Sequence, residues 1–162
     1  MPDGIELRLL DPASEEQWQA LVDLELGSYD GPDAASHRVF VERRLAGHRG
    51  LVTGGYGVWC AAYADDGRPV ANLGIFALPD GLARFQDVMT DAAYRRRGIA
   101  GALLRYAGHH ALSALGARTL VIVADREGPA IGVYCRAGFT DAGDQWAIYR
   151  GYADAGRAPQ PS

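Results

Sequence analysis

Arg95-Arg96-Arg97-Gly98-Ile99-Ala100-Gly101 is the stretch whose residue types are best suited to chemistry. Three guanidiniums present forked N–H donors that match phosphate oxygens. Gly98 and Gly101 lack side chains, so a bulky anion can approach the main chain closely. An apolar pattern begins at once: Ile99, Leu103, Tyr106, Ala107, His110 and Ala111 recur at three- and four-residue spacing, which marks one face of a helix. A helix start leaves its first N–H groups unpaired and partly positive, so the join has the makings of an anion site. The dipole alone contributes only about 0.3–1 kcal/mol at an exposed position, so several N–H groups and arginines must converge.

Other reactive side chains are scattered. Asp87, Asp91, Asp125 and Glu127 lie near predicted strand ends, where a solvated carboxylate is the ordinary reading. Asp87 stands apart because Phe85, Val88 and Met89 make its strand otherwise apolar, and a carboxylate there needs a reason. His109 and His110 are adjacent, point about 100° apart on a helix and cannot share a metal, so no metal site is expected. Cys60 and Cys135 sit in apolar sequence without metal or redox spacing, which predicts free, buried thiols. Core packing is the default for Trp18, Tyr29, Phe40 and Trp59, with the lining of an acceptor pocket as the alternative.

The elements that must position these groups follow from periodicity. Residues 5–10 alternate as a half-buried strand, and Ser14 followed by Glu15, Glu16 and Gln17 opens a helix bearing Trp18, Leu21, Val22 and Leu26. A second helix is expected over 34–45, then a glycine-rich loop over 47–57. Residues 58–64 and 69–76 form a hairpin about Asp66-Gly67. A third strand runs into the arginine turn and ends at Thr90, giving an antiparallel meander. After the central helix, Thr119-Leu120-Val121-Ile122-Val123 is a continuous apolar run, the pattern of a strand buried on both faces. The strands before and after the central helix form a parallel pair, which places ligands at strand ends. A short helix follows Gly128-Pro129 and stops at Gly138, and residues 146–149 make a last strand. Residues 1–152 read as a single domain and 153–162 as a polar, disordered tail.

With 162 residues, 48% hydrophobic and 22% charged, the chain has the composition of an ordinary globular domain. A net charge of −4 argues against nucleic acid as a partner. No apolar run approaches the roughly 20 residues that span a bilayer, and the N-terminus lacks a secretory pattern, so a cytoplasmic location and no membrane partner are expected.

Two motifs together carry a resemblance. Arg95-Arg96-Arg97-Gly98-Ile99-Ala100 fits Arg/Gln-x-x-Gly-x-Gly/Ala, and Ala130-Ile131-Gly132-Val133-Tyr134-Cys135-Arg136-Ala137-Gly138-Phe139 fits Ala-x-x-x-Tyr-x-x-x-Gly-Phe. In this order and setting they resemble the GNAT superfamily of acetyltransferases, over nearly the whole chain in layout. The resemblance implies an α/β (α+β) fold with a mixed, mostly antiparallel sheet of six to seven strands and helices on both faces, splayed at the parallel pair. It implies acetyl-CoA as co-substrate, its diphosphate on Arg95, Arg96, Arg97, Gly98, Ile99, Ala100 and Gly101, and its pantetheine arm along Val88, Met89 and Thr90. Tyr134 is then the general acid toward the CoA sulfur, with Glu127 and Ala130 as further cofactor contacts. Glu127 departs from the family pattern, which often has asparagine there, and Ala92 stands in place of a frequent proline.

The implied reaction is acetyl transfer to a primary amine on a small molecule or peptide. A lysine amine at its reference pKa is about 3.4 units above neutrality, so freeing its base form costs about 4.6 kcal/mol, and deprotonation is part of the task. The base is left open among Asp87, Asp91, Asp125, Glu127 and a water relay. A non-catalytic acyl-CoA sensor is the alternative reading, with a nucleotide-binding or purely structural domain behind it. The exposed sheet edges of such domains admit a homodimer.

Overall fold

The computed structural model describes residues 2–125 and 127–145. The strand expected at 146–149 and the tail expected at 153–162 lie outside the described residues. The element order is β1 (Ile5–Leu9), α1 (Glu15–Gly27), α2 (Ala34–Thr53), β2 (Gly57–Ala64), β3 (Pro69–Leu78), β4 (Leu82–Thr90), α3 (Ile99–Ala114), β5 (Thr119–Val121) and α4 (Ile131–Arg136). The strands lie in sequence order in one sheet, antiparallel from β1 to β4 and parallel between β4 and β5. Five strands among the described residues replace the six to seven expected from family layout.

Strand alternation divides the core in two. Trp59, Ala61 and Tyr63 of β2 face α1 and α2, where they meet Trp18, Leu21, Val41 and Leu45. Cys60 and Ala62 face the opposite side and pack with Leu73, Ile75, Phe85, Leu103 and Ala107 beneath α3. Helices therefore cover both faces of the sheet. Ser14 caps α1 by accepting from the Gln17 N–H, and Asp33 caps α2 by accepting from the Ser36 N–H. No helix among the described residues is long and apolar enough to cross a membrane.

Helix α2 corrects the expectation of a loop from residue 47. It continues through Gly47 and Gly50 to Thr53. Gly in a helix costs roughly 1 kcal/mol against Ala, and tertiary contacts outweigh that here. Arg49 donates to the Pro12 carbonyl (2.7 Å) and pairs with Glu15, while Val52 packs on the tryptophan core. A Cβ at Gly47 or Gly50 would meet nothing within 4 Å. Gly47→Ala and Gly50→Ala should each raise stability by about 0.5–1 kcal/mol, read as a higher urea midpoint at unchanged m-value.

Strand β5 is also shorter and less buried than its apolar run suggests. Among the described residues it pairs only through Thr119–Val121, opposite Leu82, Ala83 and Arg84. Thr119 is exposed and Leu120 and Val121 are half-buried, because α3 covers one face of this strand and Leu120 packs against that cluster. Parallel pairing ends at Arg84 and Val121, and β4 runs on to Thr90 with β3 as its partner, so the sheet splays at the parallel pair.

Candidate active site

The arginine turn is built on a chain reversal between β4 and α3. Asp91 accepts from the Ala93 N–H (2.9 Å) and closes a single 3₁₀ turn, and its other oxygen meets Arg68 (3.3 Å). Arg95 Nε donates back to the Thr90 carbonyl at 3.1 Å. The Tyr94 ring carries the Arg97 and Arg68 guanidiniums at 4.9 and 5.8 Å. Arg96 (φ 63°) and Gly98 (φ 79°) are both left-handed, a backbone pattern found in anion-binding concavities. A Cβ at Gly98 would meet nothing, so glycine is required there for its dihedral angle and not for space.

Helix α3 starts without a side-chain cap and without an acidic residue in its first turn. Its leading N–H groups are thus left for an outside acceptor. Arg95, Arg96, Arg97 and Gly98 are exposed, whereas Ile99 is buried in the core and anchors the turn. Ile99 can therefore offer a ligand its N–H and not its side chain. Ala100 and Gly101 are half-buried beside it.

Val88, Met89 and Thr90 lie on β4 beyond the point where β5 leaves it. Their strand edge on that side has no strand partner among the described residues, which is where an extended ligand arm can pair. Val88 packs toward the α3 core, and Met89 sulfur accepts from the Asn72 amide (3.9 Å) on the other face.

Tyr134 sits in α4, which packs on α3. It is buried in the α3-side cluster and meets Phe139 edge-on at 6.4 Å. Burial pushes its phenol above the usual tyrosine value, so the proton is retained at neutral pH. Ala130 is half-buried at the start of α4, and Glu127 is exposed in the segment before it.

The carboxylate candidates separate by their partners. Asp91 caps its turn, and Asp125 accepts from the Glu127 N–H at 3.1 Å. Asp87 is different. It occupies a bulge where β4 has an extra residue against β3, with φ 51°, a left-handed value uncommon outside glycine. Its Oδ2 meets His48 Nε2 at 3.1 Å and Arg44 Nε at 3.2 Å, and Arg44 also pairs with Glu25. Burial raises the Asp87 carboxyl, but the His48 hydrogen bond and the Arg44 and His48 charges outweigh it and hold it below the ordinary 3.8. For Glu25 burial wins over Arg44, the nearby Asp87 charge adds to it, and its carboxyl is raised.

These shifts have opposite signs in stability. Asp87 contributes stability that is present above its unfolded value and lost as pH falls through its lower folded value. Glu25 contributes stability at low pH that is lost as pH rises past its unfolded value. The urea midpoint should therefore fall on acidification below the ordinary aspartate value of 3.8, and fall less in Asp87→Asn.

The cluster of Glu25, Arg44 and His48 is what sequence reasoning missed. Its signal was the four-residue spacing of Arg44 and His48, hidden by ending α2 at residue 45. Cys135 is exposed, not buried as expected, because it lies on the outer side of the short α4, and both cysteines are free. Trp18 and Trp59 are core residues, while Phe40 is exposed and Tyr29 stacks on His37 (3.8 Å). Tyr106 is exposed at the edge of the α3 face. Among the described residues, no group of three His, Cys, Asp or Glu side chains is placed to hold a metal ion.

Residues 54–141 match the model of the acetyltransferase (GNAT) domain. No curated protein matches the chain. Among solved structures, the chain is similar to an aminoglycoside acetyltransferase, HMB0005, from an uncultured soil metagenomic sample, with TM-score 0.72 and 22% identity over 91% of this chain and 99% of that one. It is similar to glucosamine-6-phosphate N-acetyltransferase from Arabidopsis thaliana, with TM-score 0.65 and 17% identity over 90% and 97%. AAC(6')-Iy, in complex with the bisubstrate analog CoA-S-monomethyl-acetylneamine, gives TM-score 0.67 and 16% identity over 91% and 97%. At these identities the likeness establishes the fold. The family-model match spans more than half of the chain, takes in both the arginine turn and Tyr134, and shows that the protein belongs to the GNAT acetyltransferase family.

Proposed function

We infer that the protein transfers the acetyl group of acetyl-CoA to a primary amine by direct attack. The observation that carries this is the uncapped start of α3, flanked by Arg95, Arg96 and Arg97 and opened by the left-handed Gly98, next to an edge of β4 that no other strand pairs among the described residues. The amides of Gly98, Ile99, Ala100 and Gly101 receive the diphosphate, and the arginines add charge. The pantetheine arm pairs along Val88, Met89 and Thr90, and a β4 N–H stabilises the carbonyl oxygen as negative charge develops there. Ala130 and Glu127 border the arm near α4. The amine nitrogen forms the new C–N bond and gives up a proton, the C–S bond breaks, and Tyr134 donates its proton to the departing sulfur and regains one from solvent. We place this activity in the cytoplasm.

The solved neighbours include enzymes named for aminoglycosides and for glucosamine 6-phosphate, so the acceptor panel should hold amino sugars and aminoglycosides together with polyamines and peptides. All 16 basic residues of this chain are arginines, so acetyl-lysine found after reaction belongs to the acceptor and not to the enzyme. Amine-dependent release of free thiol from acetyl-CoA is the expected result. Tight acetyl-CoA binding with no thiol release from any amine would favour a sensor domain instead.

A further inference from the structure

The geometry points to His48 as the group that takes the proton from the acceptor amine, with Asp87 holding its ring and the Arg44–Glu25 pair holding Asp87. This rests on the acetyl-transfer reading above.

Asp87 is held in a costly conformation. A non-glycine residue in the left-handed region of a strand persists only where its surroundings over-determine it, and such residues cluster at functional sites. Here the bulge turns the carboxylate out of β4 toward α2, onto Arg44 and His48. The bulge lies just past the point where β5 departs, next to the strand edge proposed for the thioester arm.

Which nitrogen is basic follows from Asp87. Its carboxyl is held ionised by its partners, and an ionised carboxylate only accepts hydrogen bonds. His48 Nε2 must therefore carry the proton it shares with Oδ2 at 3.1 Å. In the neutral ring that leaves Nδ1 with the free lone pair. Nδ1 has no hydrogen-bond partner among the described residues, and the side chain is 18% exposed. Trp59 and Phe76 pack on the ring at 4.7 and 5.6 Å and fix its plane. The charged groups around it are Asp87 on β4, Arg44 one turn earlier on α2, and Glu25 on α1 behind Arg44.

Asp87 itself is a poor base, because its carboxylate already meets the Arg44 guanidinium and accepts from the His48 Nε2–H. An imidazole is the side chain best matched to proton removal near neutrality. As the amine nitrogen forms its bond to the acetyl carbon and the C–S bond breaks, the amine proton moves to His48 Nδ1 and the sulfur is protonated by Tyr134. The imidazolium then returns its proton to solvent, and the Tyr134 phenolate takes one back, which restores both groups for the next turnover.

His48→Gln tests this with amine-dependent thiol release over a range of pH. The expected result is a fall in kcat of about 10²–10⁴ fold, with KM for acetyl-CoA unchanged and the acid limb of kcat/KM gone. Asp87→Asn should lower kcat and shift that limb, and Asp87→Glu should restore part of the loss. In the wild type, the acid limb should coincide with the titration of the His48 ring followed by NMR, which needs no variant to fold. A His48→Gln enzyme with wild-type kcat, or an acid limb that does not track the ring, would overturn the assignment. Wild-type protein that releases no thiol with any amine would instead sink the acetyl-transfer reading itself.

Discussion

Tyr134→Phe should lower kcat for amine-dependent thiol release by about 10²–10⁴ fold, the usual contribution of a positioned general acid. The affinity for acetyl-CoA should hardly change, since the contacts proposed for the diphosphate and pantetheine arm lie on other elements. The substitution keeps the ring that meets Phe139 at 6.4 Å and removes only the hydroxyl, so the fold should survive it. Burial keeps the phenol protonated, which suits an acid that must be loaded when the thiolate departs. The loss should therefore sit in kcat and not in KM, the mark of an interaction made in the transition state. An unchanged kcat with a good acceptor would remove Tyr134 from the reaction.

Trp59→Ala should cost the fold about 3–5 kcal/mol from the lost side chain alone. Trp59 is fully buried, tilts against Trp18 at 5.9 Å and packs on His48 and Phe76. Its Nε1 donates to Asn72 Oδ1 at 3.0 Å, and Asn72 is itself fully buried. Alanine would strand that amide oxygen, adding roughly 1–3 kcal/mol of desolvation. Against a typical domain stability of about 5–15 kcal/mol, the variant should be largely unfolded or close to it. Trp59→Phe refills most of the volume and should isolate the hydrogen-bond share. Urea unfolding followed by circular dichroism gives both numbers, and a loss below about 1 kcal/mol for alanine would contradict this packing.

Much of the fold was legible because local chemistry and tertiary structure agree. Asp66-Gly67 made the hairpin readable, and Gly67 does adopt φ 77° there. The meander followed from consecutive strand runs joined by short turns, and the strand, helix, strand unit from the apolar stripe of α3 and the apolar run after it. Where the reading failed, long-range contacts overrode local signals. Gly47 and Gly50 look like loop residues, but Arg49 and Val52 hold them in α2. The apolar run at 119–123 looks like a doubly buried strand, yet among the described residues only Thr119–Val121 pair with β4, and Leu120 and Val121 are half-buried.

The site divides in the same way. The arginine turn and Tyr134 of the candidate site could be singled out because each sits in a short motif whose residue types are needed locally. His48, Arg44 and Glu25 could not, since their roles arise only when α1 and α2 pack over the β4 bulge. Asp87 was visible as an unexplained carboxylate, and its contacts with Arg44 and His48 are the explanation.

The central claim is that main-chain amides at the start of α3 hold the diphosphate of acetyl-CoA, and an amide-resolved NMR titration reads those amides directly. Adding acetyl-CoA to labelled protein should move the Gly98, Ile99, Ala100 and Gly101 signals most, followed by Val88–Thr90, with desulfo-CoA moving the α3 signals alike. Saturable binding that leaves these four amides in place, or no binding at all, would contradict the account.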